Sequence, residues 1–164
     1  MTKEKRTSYD PGSLHEMSKQ ELVEATTKLT GEMVDFENKR DQEIEAFYTE
    51  KMKIHREPDA EKRAKLDMDI EGQWLKDNSN FQSEYRKNYL NRASALRDEL
   101  LFRLRMTPEQ SERAVEEHLP STSQFLGGPM LGGPISRALA GALVGPHPIA
   151  DAAMYLEGLA RLLQ

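Results

Sequence analysis

From Leu22 onward, apolar residues recur along a mostly charged stretch at steps of three, four and seven: Leu22, Leu29, Met33, Phe36, Ile44, Phe47 and Met52. Such steps return to one face of an α-helix, which turns about 100° per residue. The stripe is narrow and close to a heptad, with Arg40 and Glu43 interrupting it and one extra residue near Arg40. Ser18 and Glu21 stand at capping-box spacing, so the pattern predicts a long helix from Ser18 to about His55.

A second stripe runs through Ala64, Ile70, Trp74, Phe81, Tyr85, Tyr89, Ala93, Leu96, Leu100 and Leu104. Glu57-Pro58-Asp59 separates the two, and Pro58 fits the first turn of the second helix, where a missing backbone donor costs nothing. Unbroken, that helix would be about 70 Å long. Asp77-Asn78-Ser79-Asn80 competes for backbone hydrogen bonds, and a kink is expected there. So short a connection favours antiparallel packing. Facing residues then place Phe81 near Met33, Tyr85 near Leu29 and Trp74 near Arg40, the last as a cation–π contact. One bent helix running through residue 57 is the alternative, which the proline disfavours. On the hairpin reading, Leu29, Met33, Phe36, Trp74, Phe81, Tyr85 and Leu96 hold the two helices together.

Thr107-Pro108-Glu109-Gln110 joins a capping hydroxyl, a first-turn proline and a capping-box glutamine, which predicts a short third helix ending near His118. The pattern then changes. Residues 1–118 hold 47 of the charged side chains, whereas 119–164 hold four: Arg137, Asp151, Glu157 and Arg161. From Phe125 to Pro134 the chain repeats Leu-Gly-Gly-Pro, which implies turns, and no Gly-Lys-Ser/Thr follows to make a phosphate loop. The bland reading of this stretch is an apolar linker. Two short apolar helices follow, roughly Ile135–Val144 and Ile149–Leu163, with Pro148 able to start the second.

The expected fold is all-α: a long, coiled-coil-like antiparallel helical hairpin, a short third helix and a C-terminal apolar pair. Its segments would be a flexible stretch 1–17, the charged helical part 18–118, a Gly/Pro-rich linker 119–134 and the helical pair 135–164. Composition agrees: 31% charged and 37% hydrophobic suits an elongated helical shape better than a compact globule. About 25 helical residues in a 46-residue tail cannot fold alone, so the face of Leu156, Leu159 and Leu163 must borrow a surface. That surface is the chain's own hairpin, a second copy, another protein or a membrane.

Chemistry narrows the classes of function. The chain has no cysteine, which removes disulfides and thiolate catalysis. His15, His55, His118 and His147 are scattered, with no pair at helical metal spacing and no motif of a hydrolase or a zinc protease. No catalytic residue, metal ligand, cofactor or small-molecule substrate is expected, and the chain reads as a non-enzyme. No apolar run reaches a membrane-spanning length and no secretory leader opens the chain, so a cytoplasmic protein is expected. A net charge of −5 makes nucleic-acid binding unlikely.

What remains is a non-enzymatic scaffold or adaptor. It would self-associate or dock another protein through Phe125, Leu139, Leu143, Leu156, Leu159 and Leu163. The alternative is a peripheral membrane protein whose C-terminal helices insert shallowly. A basic stretch, Arg86, Lys87, Arg92, Arg97, Arg103 and Arg105, would then face the anionic surface. The same arginines at helical spacing more commonly form a solvated face.

Overall fold

A computed structural model of the chain describes residues 9–118 and 148–164. These residues form an all-α hairpin. They fold as α1 (Pro11–Glu16), α2 (Lys19–His55), α3 (Ala60–Tyr85), a π-turn (Arg86–Leu90), α4 (Asn91–Leu104), α5 (Pro108–His118) and α6 (Pro148–Leu163). The Leu-Gly-Gly-Pro stretch, the helix expected over Ile135–Val144, and Phe125, Leu139 and Leu143 lie outside the described residues.

The local start signals act as their chemistry predicts. Glu21 N–H donates to Ser18 Oγ at 3.1 Å, and Ser18 N–H donates back to Glu21 Oε1 at 3.1 Å. Thr107 and Gln110 exchange the same pair of bonds at α5, at 3.0 and 3.2 Å. Pro148 opens α6. Pro58 differs from expectation: it precedes the second helix of the hairpin instead of starting it. The Asp59 carboxylate accepts from Glu61 N–H at 3.1 Å and takes the cap, so α3 begins at Ala60.

Two further expectations need correcting. No helix is signalled before Ser18, yet α1 forms there and Leu14 is fully buried beside α4. Arg103 makes this possible by donating to the carbonyls of Leu14, His15 and Met17, which a helix end leaves unsatisfied. The kink expected at 77–80 is absent, because Asn78 Oδ1 accepts from Arg40 at 2.9 Å instead of competing for its own backbone. The irregularity comes later, as the π-turn.

That π-turn has a cause in the stripe. Phe81, Tyr85, Tyr89 and Ala93 are three successive steps of four, and each such step carries an α-helix about 40° past a full turn. Three steps would rotate Ala93 about 120° away from α2. One wider turn of about 4.4 residues absorbs the surplus, so Phe36 contacts both Phe81 and Tyr89, with ring centroids at 4.8 and 4.9 Å.

The molecule divides along its length. At the base, α6 lies on α2, α4 and α5, and the core gathers Leu22, Leu29, Met33, Tyr85, Leu96, Leu100, Val115, Ile149, Leu156 and Leu159. Beyond Arg40, α2 buries only Ile54, and α3 buries only Tyr85 at its far end. That stretch is a thin two-helix arm projecting from a packed base.

Candidate functional site

Three groups of side chains hold α6 to the base. Glu37 on α2 is buried, and its two carboxylate oxygens accept from the N–H groups of Ile149 at 2.7 Å and Ala150 at 3.2 Å. These are orphan donors of the first turn of α6, and a negative charge there also meets the positive end of the helix dipole. Midway along α6, the Tyr155 hydroxyl is hydrogen-bonded to Ser111 Oγ of α5, and burial pushes that phenol up to about 12. Burial also raises the phenol of Tyr85, with the nearby Glu37 charge acting in the same direction. The third group is apolar: Leu156 and Leu159 are fully buried in the core, and Leu163 packs at its edge half-buried.

The face of α6 proposed from sequence as a contact for partners is thus covered by the chain's own hairpin. Among the described residues, α6 displays no exposed large apolar side chain. Its position follows from the base of α2, whose inner positions Leu22, Ala25, Leu29 and Met33 fall at helical spacing opposite it.

The basic stretch does not form one surface. Arg103 points inward to the end of α1 and pairs with the buried Glu99 at 3.5 Å. Arg97 is half-buried against Asp98, and Arg92 lies over the Tyr9 ring at 5.5 Å. Arg86, Lys87, Arg92 and Arg105 are exposed. Arg105 also adopts a left-handed backbone (φ 56°), which closes α4 and lets Met106 N–H reach Leu101 C=O at 3.1 Å.

Where the arm leaves the base, Arg40 is buried at the seam. Its guanidinium lies 4.3 Å from the Trp74 ring centroid and 5.1 Å from that of Phe81, and it donates to Asn78 and Glu43. The pairing of Arg40 with Trp74 is the one expected from the antiparallel register. Farther out, Phe47 stacks on Trp74 at 4.3 Å, and Lys51 reaches Asp67 at 2.7 Å and also Glu71. The two carboxylates raise the Lys51 pKa above its ordinary value. Met52, expected in the seam, is instead 63% exposed, because Lys51 and Ile54 take the inward positions.

The exposed apolar side chains are therefore on the arm: Tyr48, Met52, Leu66, Met68 and Leu75, with Phe102 the remaining one at the base. Tyr48 and Met52 line a groove with Lys51, His55, Arg56 and Asp67. Sequence reasoning missed this arm surface, although each of these residues adjoins a seam position. Among the described residues there is no cluster of metal-ligating side chains, and no helix is long and apolar enough to cross a membrane. Comparison with protein-family models, with curated protein sequences and with solved structures finds no match to this chain.

Proposed function

We propose that this protein is a non-enzymatic scaffold or adaptor whose base positions a two-helix arm for association with protein. The observation that carries the reading is the distribution of exposed apolar side chains. Five of the six large ones among the described residues lie on the arm, while those of α6 are turned into the base. Surface apolar residues grouped on one element mark interaction sites more often than scattered single ones do. The C-terminal residues Leu156 and Leu159 then serve the function indirectly, by making the base rigid enough to hold the arm.

Cross-linking in cells of the native source tests this, comparing the parent chain with a Tyr48→Glu/Leu75→Glu arm variant and an Arg86→Glu/Lys87→Glu surface variant. The reading expects cross-links to protein, either a second copy or another chain, that disappear in the arm variant and persist in the surface variant. Cross-links that require Arg86 and Lys87 yet persist in the arm variant would overturn it.

A further inference from the structure

Four exposed residues of the arm share a simple relation to the seam. Tyr48 follows Phe47, Met52 follows Lys51, Met68 follows Asp67 and Leu75 follows Trp74, and each predecessor faces the opposite helix. One residue further along an α-helix lies about 100° around its axis. In two antiparallel right-handed helices, that displacement points to the same side of the pair. The four residues therefore line one side of the arm, with exposures of 61%, 63%, 75% and 68%. Glu37 follows Phe36 in the same way, so this is also the side on which α6 docks at the base. Leu66 precedes Asp67 and belongs to the other side.

Charge is sorted along the same arm. Its shaft, residues 41–50 and 67–77, has eight carboxylates and one lysine. Its tip, residues 51–66, has six Lys or Arg and three carboxylates. The shaft is thus strongly acidic and the tip basic. A partner for this side must offer an apolar strip together with a basic region facing the shaft and an acidic region facing the tip. A second arm laid antiparallel against the first offers all three.

We propose that two copies of this chain associate side by side through their arms, antiparallel, with Tyr48, Met52, Met68 and Leu75 of each buried in a local four-helix bundle. This rests on the arm being the interacting element. A twofold axis near Tyr48 sets the basic tip of each copy against the acidic shaft of the other. The overlapping part of α2 is about 15 residues, or roughly 22 Å, long. An interface of that length is at the small end of specific association, so the dimer is weak, with a dissociation constant on the order of 10–100 µM.

The absence of cysteine makes a direct test possible. Purified full-length Tyr48→Cys and Ala60→Cys proteins are treated with a short bismaleimide at about 100 µM chain, a concentration near the expected dissociation constant. The mass of the unmodified protein is followed by sedimentation equilibrium in low and high salt. The expected result is cross-linked dimer from Tyr48→Cys, little from Ala60→Cys, and a dimer that salt weakens several-fold. Met68→Glu/Leu75→Glu should be monomeric with an unchanged helical circular dichroism spectrum.

Equal cross-linking at Ala60 would mean tip-to-tip parallel association and overturn the proposal. So would a monomeric parent protein at every concentration. In that case, a thiol introduced at Tyr48 but shielded from maleimide would assign the strip to residues 119–147 of the same chain. A reactive thiol there, with arm-dependent association with another protein in cells, would leave the arm as the interacting element and remove only self-association.

Discussion

Glu37, near the middle of α2, accepts a 2.7 Å hydrogen bond from the backbone N–H of Ile149, which is 112 positions away in the chain. A side chain of one helix thereby caps another, and its second oxygen takes the N–H of Ala150. Removing it leaves one buried and one partly buried donor without their acceptor. Glu37→Ala should lower the unfolding free energy by about 2–3 kcal/mol, and Glu37→Gln, which keeps an oxygen but loses the charge, by about 1 kcal/mol. Urea denaturation measures both. An alanine variant as stable as the parent would show that α6 is held by its apolar face alone.

The contrast with the other caps explains what could be read in advance. Ser18 with Glu21, and Thr107 with Gln110, are three residues apart, so spacing alone reveals them. Glu37 sits among many carboxylates on a charged helix, where the ordinary reading of an acid is solubility. The missing signal was at the other end. Gly145-Pro146-His147-Pro148 offers α6 no Ser, Thr, Asp or Asn to satisfy its first N–H groups, so an acceptor had to come from elsewhere. The hairpin was legible because a stripe and a proline are local facts. Its register, however, is about one turn off the expected one: Phe81 stacks on Phe36, not Met33, and Trp74 on Phe47 as well as Arg40. The arm's exposed strip was not legible: Met52 looks like a seam residue until Lys51 is seen bridging Asp67 and Glu71.

Arg40 tests how much the planar guanidinium matters at the neck of the arm. It combines ring contacts with Trp74 and Phe81 and a hydrogen bond to Asn78, and a lysine ammonium cannot reproduce that geometry. Arg40→Lys should therefore cost about 1–2 kcal/mol, not much less than Arg40→Ala. Trp74 is the chain's only tryptophan, so its emission reports the change at this position. A lysine variant with the parent's stability and spectrum would mean that charge alone suffices.

The π-turn makes a prediction about deletions. Removing the exposed Asn88 turns Tyr85 to Ala93 from eight residues into seven, which a regular α-helix spans in about two turns. Both halves of the stripe then still face α2 and α6. Removing Lys76, inside the regular part of α3, rotates one half about 100° against the other. Circular dichroism melting should find the Asn88 deletion folded and within a few degrees of the parent. The Lys76 deletion should lose the pairing of Trp74 with Arg40 and melt far lower. Equal damage from both would contradict the account of the extra residue.

Alkaline pH probes the contact between α5 and α6. Burial is the main cause that raises the Tyr155 phenol to about 12, with the Ser111 bond opposing it. The unfolded chain releases that proton near pH 10, whereas the folded chain keeps it. The contribution of Tyr155 is therefore constant below about pH 10 and is lost as pH rises through about 12. Tyr155→Phe removes this dependence and leaves that of Tyr85 in place. Ser111 keeps a partner in the variant, since its hydroxyl also donates to Pro108 C=O at 2.6 Å, so the loss at neutral pH should be only about 1 kcal/mol. Above about pH 10 the parent's stability should fall more steeply than the variant's, by up to about 1.4 kcal/mol per pH unit for one proton. Urea midpoints measured between about pH 8 and 11.5 give both slopes, and identical slopes would mean that this phenol ionises without unfolding the base.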